Sequence, residues 1–588
     1  MITGSKILFN SLVNNGVKHV FGYSGGAILP VLNEFYNQDK IQFIMSRTEI
    51  GASFMAEGYA KSKRKCGVVM TTSGPGALNT ITSLQNSLSD GTPILVLSGQ
   101  VATSVIGTGA FQEANVIDIT KHCTKWNSQI TDFITIDLKI NLAFDRIFKD
   151  RYGPVLIDLP KNIMSKQFPE WRSNNEIFNF AINNFSHRQQ LYICEKNYNI
   201  CPGNINSIIS ISNKPVILAG QGVFQGDAIN LLREFARSYN IPVTTTLLGL
   251  GIFDEKDPLS LRMCGMHGSF YANNAIQNSD LLINFGSRFD DRITGNVDLF
   301  APNATIIHID ILKENINKTI KTHYLINDNC HTVLKNLLEY KKIMNCSFSD
   351  KFQDWHSQIR DWKKIDFSYP INSNVLQGRH VISTLNTLIQ KDCDNQYTIV
   401  ADVGAHQMWT AQFIQYNYPK IKFITSGGLG SMGFAIPASI GVKIAIPTDK
   451  VIVIVGDGGF TMSMVELLTA IDNKVNIKIL IINNNNLSMV SMWQKMFYDS
   501  RYIATEMVNP PFEKICENFG CKSILIDNEH NLEKKLQEIL NYEDGPIVAN
   551  IITYKYEPVL PMVSPGKALD DMIIDENNED KFEGDAPC

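Results

Sequence analysis

An aspartate and a run of asparagines, each delivered at the end of an apolar run, are the residues here whose types and spacing could do chemistry together. The β-branched run Val451–Val455 stops at Gly456-Asp457-Gly458-Gly459. A helical pattern follows, with Met464, Leu467, Leu468 and Ile471 on one face. A second apolar run, Ile477–Ile482, then ends in Asn483-Asn484-Asn485-Asn486. Two short apolar runs flanking a helix predict a strand–helix–strand unit of a parallel sheet. Both strands then end at the same sheet edge, where open α/β sheets bind ligands. The Asp457 carboxylate and the Asn484 amide arrive there with glycines that let backbone approach closely. Hard oxygen ligands that leave room for waters and phosphate oxygens suit Mg²⁺ on a diphosphate. Singly, Gly-Asp-Gly is a tight turn and asparagines cap helices. The pair at this spacing, after two buried strands, points to a site.

The elements that must position these residues follow one pattern. Residues 1–165 alternate apolar strands with helical stretches. Val20-Phe21-Gly22 leads into Gly25-Gly26, and Ile41–Met45 delivers Arg47-Thr48-Glu49, with a helix over Ala52–Lys61. Val68–Met70 ends at Ser73-Gly74-Pro75-Gly76, and Ile94–Leu97 at Ser98-Gly99-Gln100. Repeated strand–turn–helix units mean doubly wound parallel sheets, and the expected fold is α/β with three such domains. The expected divisions are 1–165, a linker over 166–212 with one surface helix, a second domain over 213–340, a linker over 341–374, a third domain over 375–560, and an acidic tail over 561–588. A chain of 588 residues is too long for one core.

Composition narrows the function classes. With 44% hydrophobic and 19% charged residues the chain is globular in character. A net charge of −5 gives no electrostatic case for nucleic acid or an anionic membrane. No apolar run approaches the length of a membrane span. The 11 cysteines include no C-x-x-C pair, which argues against a zinc ribbon or a disulfide scaffold and for a reducing compartment.

Gly-Asp-Gly, a helix, a strand and Asn-Asn resemble the signature of thiamine-diphosphate (ThDP) enzymes. More closely, GDGGFTMSMVELLTA and ILIINNNNLSMVSMWQ resemble the catalytic subunit of the acetohydroxyacid (acetolactate) synthase family, from about Gly4 to Val563. The resemblance implies a metal set of Asp457, Asn484 and Asn486, and a catalytic Glu49. ThDP loses a thiazolium proton to its own amino group in the imino form, and a carboxyl on the opposite side of the pyrimidine promotes that tautomer. Here Thr48 and Ile50 stand where the family usually has His and Gln.

Further ThDP contacts are implied at Gly404, His406, Gly430, Met432, Gly456, Gly458 and Met462. Gly428-x-Gly430-x-x-Gly433 also matches a dinucleotide fingerprint; the block starting at Asp457 decides for ThDP. FAD contacts are implied at Arg151, Gly220, Gly222, Thr246, Leu247, Met263, Gly265, His267, Gly286, Arg288, Asp290, Arg292, Asp310 and Asp328. The implied flavin role is non-redox, because the reaction has no net electron transfer. The implied substrate pocket comprises Gly26, Ala27, Phe111, Gln112, Lys161, Met266, Arg292, Met489 and Trp493. Arg292 is read either as a fork for a substrate carboxylate or as an FAD contact. Ala102, Ala405 and Ser488 replace the Pro, Gln and Gly usual in the family.

The implied activity is decarboxylation of pyruvate and its joining to a second 2-keto acid, pyruvate or 2-ketobutyrate, toward valine, leucine and isoleucine. Two alternatives stay open: another ThDP enzyme of the pyruvate oxidase or decarboxylase type, and a non-catalytic paralogue. Family geometry implies sites between subunits of a homodimer or homotetramer, and a separate small regulatory subunit as a partner. The family-like sequence starts within a few residues of Met1, so a cytoplasmic location is expected. The Cys123–Asn127 run resembles fungal members, which carry an import peptide.

Overall fold

The computed structural model describes residues 1–168, 200–344, 348, 350–365 and 375–574. Most of the linker that the sequence places at 166–212 therefore lies outside the described residues, although its end forms the helix Pro202–Ile211.

Three six-stranded parallel sheets organise the chain. The first contains β1 (His19–Gly22), β2 (Gln42–Met45), β3 (Gly67–Thr71), β4 (Ile94–Gln100), β5 (Trp126–Gln129) and β6 (Val155–Pro160). The second contains β7 (Pro215–Ala219), β8 (Val243–Thr245), β9 (Ser260–Met263), β10 (Leu281–Phe285), β11 (Thr305–Asp310) and β12 (Tyr324–Asn327). The third contains β13 (Tyr397–Ala401), β14 (Ile421–Thr425), β15 (Lys450–Gly456), β16 (Ile477–Asn483), β17 (Lys522–Ile526) and β18 (Ile547–Ile552). The central strands β3, β4, β15 and β16 are buried along nearly their whole length, which is why they read as continuous apolar runs.

Strand order separates the domains into two kinds. The first sheet runs β2-β1-β3-β4-β6-β5 and the third β14-β13-β15-β16-β18-β17. Both show the same relative order, so the outer domains are two copies of one design. The second runs β9-β8-β7-β10-β11-β12, the order of dinucleotide-binding sheets. Ligands sit where strand order reverses. Those points are β1/β3, β7/β10 and β13/β15.

The outer domains share one apolar core. The helix Glu49–Lys63 crosses the helix Ala435–Ala445, with Gly58 against the Ala438 carbonyl and Gly441 against the Met55 carbonyl. Any Cβ at either glycine would overlap those backbone oxygens. The sequence placed the first helix from Ala52, but it begins at Glu49, because Thr48 caps it by accepting from the Gly51 N–H at 3.0 Å.

Two expectations change. The helix Gln353–Lys363, expected as a connector, is part of the central domain. Its Trp355 is buried, packs into that core and donates from Nε1 to the Pro215 carbonyl at 3.1 Å. Residues 561–574 are not tail. Met562–Val563 pairs with Met572–Ile573, the Val563 N–H donates to the Met266 carbonyl at 2.8 Å, and Leu569 joins the central core. Met562, Val563, Leu569, Met572, Ile573 and Ile574 of the supposed tail fall before residue 575, and burying them outweighs the cost of ordering the segment. The acidic run beyond lies outside the described residues.

Candidate functional site

Strand β15 ends at Gly456 and pairs with β16 through Gly456↔Ile482, so Asp457 and the asparagine run reach the same edge. Asp457 opens the helix Asp457–Ser463 and is only 3% exposed. Its carboxylate accepts from Asn509 Nδ2 at 2.7 Å and from the Gly458 N–H at 3.1 Å. Burial pushes its pKa up to about 6, against those hydrogen bonds. Both amide hydrogens of Asn484 are used, on Ser488 Oγ (2.6 Å) and the Lys555 carbonyl (3.2 Å). Asn486 repeats the arrangement with Ser491 Oγ (2.6 Å) and the same carbonyl (3.3 Å). The Asn486 Oδ1 is buried without a hydrogen-bond partner. A desolvated carboxylate and an orphaned amide oxygen on neighbouring strand ends fit a hard divalent cation. Among the described residues no three His, Cys, Asp or Glu side chains cluster as a metal site, so such a site must draw on amides.

His406 stands beside this edge in a role the sequence did not foresee. Its Nε2 accepts the Gly456 N–H at 3.2 Å, and burial lowers its pKa to about 3, so the ring is neutral. Gly404, at φ +150°, and Gly456 both lack a Cβ that would press on that ring. The imidazole thus fills the β13/β15 switch point instead of presenting a cation to it.

The loop Ser426–Gly433 is held at both ends by buried carboxylates. Asp402 accepts from the Gly433 N–H (3.0 Å) and the Ala435 N–H (2.9 Å). Asp90 accepts from the Gly427 N–H (3.1 Å) and the Gly428 N–H (2.6 Å), and pairs with Lys61 at 2.5 Å. Ser426 Oγ donates to Asn86 Oδ1 (2.6 Å), and Asn86 Nδ2 donates to Glu57 Oε2 (2.8 Å). Burial raises the Glu57 carboxyl to about 7. A carboxyl raised above its unfolded value contributes stability at low pH that is lost as pH rises through about 7. Glu57→Gln is therefore expected to melt above the wild type near pH 8, with the gain gone below about pH 4.5. Thermal denaturation across that range checks this.

Glu49 opens its helix half-buried, with Oε2 accepting from Asn79 Nδ2 at 3.0 Å. Just before it, Glu466 of the C-terminal domain accepts from the Thr48 N–H (3.0 Å), Thr48 Oγ1 (2.8 Å) and the Arg47 N–H (3.0 Å). The departure at Thr48 is thus absorbed into a cap, and Ile50 packs against the interdomain core.

A cavity of about 870 Å³ runs between the central and C-terminal domains, with Ser89, Asp150, Arg151 and Tyr152 of the first domain also in its walls. Its walls include Arg151, Gly222, Thr246, Leu247, Met263, His267, Gly286, Arg288, Asp290, Arg292 and Asp310 at one end. Gly404, Gly430, Met432, Met489 and Trp493 stand at the other, with Met266 between. Gly220 and Gly222 meet Gly286 at the β7/β10 switch point, where a Cβ would collide with backbone. Burial holds the Arg151 guanidinium down at about 10, and Arg288 adds to this. Burial raises the Asp310 carboxyl to about 6. His267 keeps a buried Nδ1 without a partner. Two guanidiniums, an acid at the far strand end and a glycine cradle on a dinucleotide-type sheet fit a dinucleotide such as FAD. Arg292 is half-exposed, with Nη1 3.4 Å from Met266 Sδ.

Other sequence-predicted residues stand apart from that cavity. Gly220, Gly265, Asp328, Gly456, Asp457, Gly458, Met462, Asn484, Asn486 and His406 are not in its walls. Neither are Glu49, Gly26, Ala27, Phe111, Gln112 and Lys161, which follow strand ends of the first sheet. There Phe111 is 87% exposed and Gln112 has φ +59°. The sequence missed Asn509, Glu466, Asp402 and Asp90. Asp402 carried the signal that exposed Asp457, an acid closing an apolar strand; Glu466 and Asn509 carried none.

Comparison with known proteins agrees with this architecture. Residues 2–119, 204–337 and 402–551 match the thiamine pyrophosphate enzyme N-terminal TPP binding domain, central domain and C-terminal TPP binding domain. The chain is 41% identical to "Acetolactate synthase, mitochondrial" of Schizosaccharomyces pombe, over 98% of this chain and 87% of that one. It is 40% identical to "Acetolactate synthase catalytic subunit, mitochondrial" of Saccharomyces cerevisiae, over 97% and 84%. It is 39% identical to "Acetolactate synthase large subunit" of Lactococcus lactis, over 98% of both. With three matched domains in order and such identity over almost its whole length, the chain belongs to the acetolactate synthase catalytic-subunit family of thiamine pyrophosphate enzymes.

Proposed function

We propose that the protein decarboxylates pyruvate and joins the two-carbon unit to a second 2-keto acid, pyruvate or 2-ketobutyrate. The observation that carries this reading is the sheet edge that Asp457, Asn484 and Asn486 reach, immediately before the helix Ser488–Phe497 that puts Met489 and Trp493 in the cavity wall. Thiamine diphosphate, when bound, supplies the carbon nucleophile and takes up the electron pair released with CO₂. Asp457, Asn484 and Asn486 would hold Mg²⁺, and the Ser426–Gly433 loop would take the cofactor's pyrimidine at Gly430 and Met432. Glu49 would be the carboxyl partner that favours the imino form of the cofactor's pyrimidine. Met489 and Trp493 shape the acceptor pocket and keep water out.

Glu49 lies with Gly26, Phe111, Gln112 and Lys161 on an exposed edge, away from the cavity walls. That separation supports a homodimer, or a tetramer built from it, in which Glu49 serves the cofactor of another subunit. FAD fits the central cavity and has a positioning role. A separate regulatory subunit is supported by the words "catalytic subunit" and "large subunit" in the relatives' names. Among the described residues no helix is long and apolar enough to cross a membrane, and the described cysteines, Cys66 and Cys123 among them, are free. A reducing compartment fits, which the expected cytoplasm and the mitochondrion printed for the fungal relatives both provide.

Product analysis with pyruvate, ThDP, Mg²⁺ and FAD tests the reading. Acetolactate is the expected product. Acetaldehyde or acetyl phosphate instead would assign the chain's reaction to a decarboxylase or oxidase type. No turnover with cofactor bound would point to a missing subunit.

A further inference from the structure

We propose that Asp90 is a positioning residue for the Ser426–Gly433 loop, and that the helix end carrying it links ThDP affinity to the dinucleotide end of the cavity. The inference rests on the cofactor reading above. Asp90 closes the helix Ile81–Asp90 of the first domain, and Gly91 follows at φ +63°. The last carbonyls of a helix have no partner within it. Here two side chains from elsewhere take them. Arg151 donates to the Leu88 carbonyl at 2.7 Å and to the Ser89 carbonyl at 2.5 Å. Gln225 of the central domain donates from Nε2 to the Gly91 carbonyl at 2.8 Å and to the Asp90 carbonyl at 3.4 Å. The fit is close: a Cβ at Gly91 would stand 2.8 Å from Gln225 Nε2 and 3.2 Å from Arg151 Nε.

The fully buried Asp90 carboxylate grips the third domain through the Gly427 and Gly428 N–H groups. Its partner Lys61 also donates to the Thr425 carbonyl at 2.8 Å, at the end of β14. Burial opposes the charge on Asp90, but Lys61 and the two N–H groups hold its carboxyl below the ordinary value, so both loop bonds are charge-assisted. Gly428 fits against the same turn, where a Cβ would lie 3.0 Å from Ser89 Cβ and 3.1 Å from Asp90 Oδ1. Arg151, Ser89, Gln225, Gly427 and Gly428 all line the cavity. One helix end is thus held by residues of the dinucleotide end and itself holds the loop assigned to the pyrimidine. A dinucleotide that immobilises Arg151 and Gln225 fixes the turn, and the turn fixes the loop. Such coupling is reciprocal and typically amounts to about 5- to 150-fold in affinity.

The test uses the full-length protein freed of cofactors, with ThDP and Mg²⁺ titrated by calorimetry in the presence and absence of FAD. The wild type is expected to bind ThDP at least about fivefold more tightly with FAD present. Asp90→Asn keeps the side chain's volume but removes its charge and one acceptor. Without ThDP it is expected to bind FAD within a few-fold of the wild type, read from flavin fluorescence, yet to lose the FAD-dependent gain in ThDP affinity. Gly428→Ala covers the case in which Asp90→Asn does not fold. Its methyl group parts the loop from the turn, leaves no buried charge unpaired, and is expected to cost the same gain. ThDP binding that is weaker in these variants but keeps the wild-type gain from FAD would give Asp90 a structural role only and overturn the proposal. Unchanged ThDP binding in them, or a wild-type ThDP affinity indifferent to FAD, would overturn it as well. A wild type that binds no ThDP, or no FAD, would instead overturn the cofactor reading, and this proposal with it.

Discussion

Glu49→Gln is expected to cut acetolactate formation by about two to four orders of magnitude, the usual weight of a positioned acid–base group. The amide keeps the volume and can still accept from Asn79, but it cannot hold a titrating proton. The helix it opens stays in place, because Thr48 caps it and the buried Glu466 carboxylate grips the Thr48 and Arg47 N–H groups. ThDP and Mg²⁺ affinity should therefore stay within a few-fold of the wild type, and FAD content should not change. Steady-state product assays beside cofactor titrations check both halves. Activity within a few-fold of the wild type would remove Glu49 from the chemistry.

Asp457→Ala is expected to abolish saturable Mg²⁺-dependent ThDP binding, because the proposed cation set then keeps two neutral amides and no charge. Activity falls with it, by about two orders of magnitude or more. The larger consequence appears when this variant is co-expressed with Glu49→Gln. If the site lies between subunits, random pairing makes about half of the dimers mixed, and each mixed dimer has one site with both residues intact. About a quarter of the wild-type sites should then work, although neither variant works alone. The exposure of Gly26, Phe111, Gln112 and Lys161 near Glu49, and the absence of all five from the cavity walls, motivate this expectation. No recovery on mixing would mean that Glu49 and Asp457 meet within one chain.

The strands and their ends were legible because buried parallel strands must be apolar throughout, and a turn residue must follow each. Val451–Val455 before Asp457 and Ile477–Ile482 before the asparagines are examples, and both lie in the central strands of the third sheet. Helix starts were less legible. The Glu49–Lys63 helix begins three residues before its apolar pattern, since a cap acts through one side chain and leaves no periodic trace. Residues 561–574 misled for a related reason: a short apolar stretch beside an acidic run has no recognisable period. Only its contact with the central core gives it structure.

By itself the sequence determined the α/β class, the three-domain order and which residue types stand at each strand end. Local propensity and strand-end chemistry are properties of neighbouring residues, so they survive in one dimension. Only the tertiary structure decided the shared strand order of the outer domains, the carboxylates that hold the Ser426–Gly433 loop, and the serine hydroxyls that accept from Asn484 and Asn486. It also decided that His406 is a neutral wedge between two glycines and that Glu49 is not in the cavity walls. Those outcomes depend on contacts between segments far apart in the chain, and on the burial that sets each charge. No local pattern encodes them.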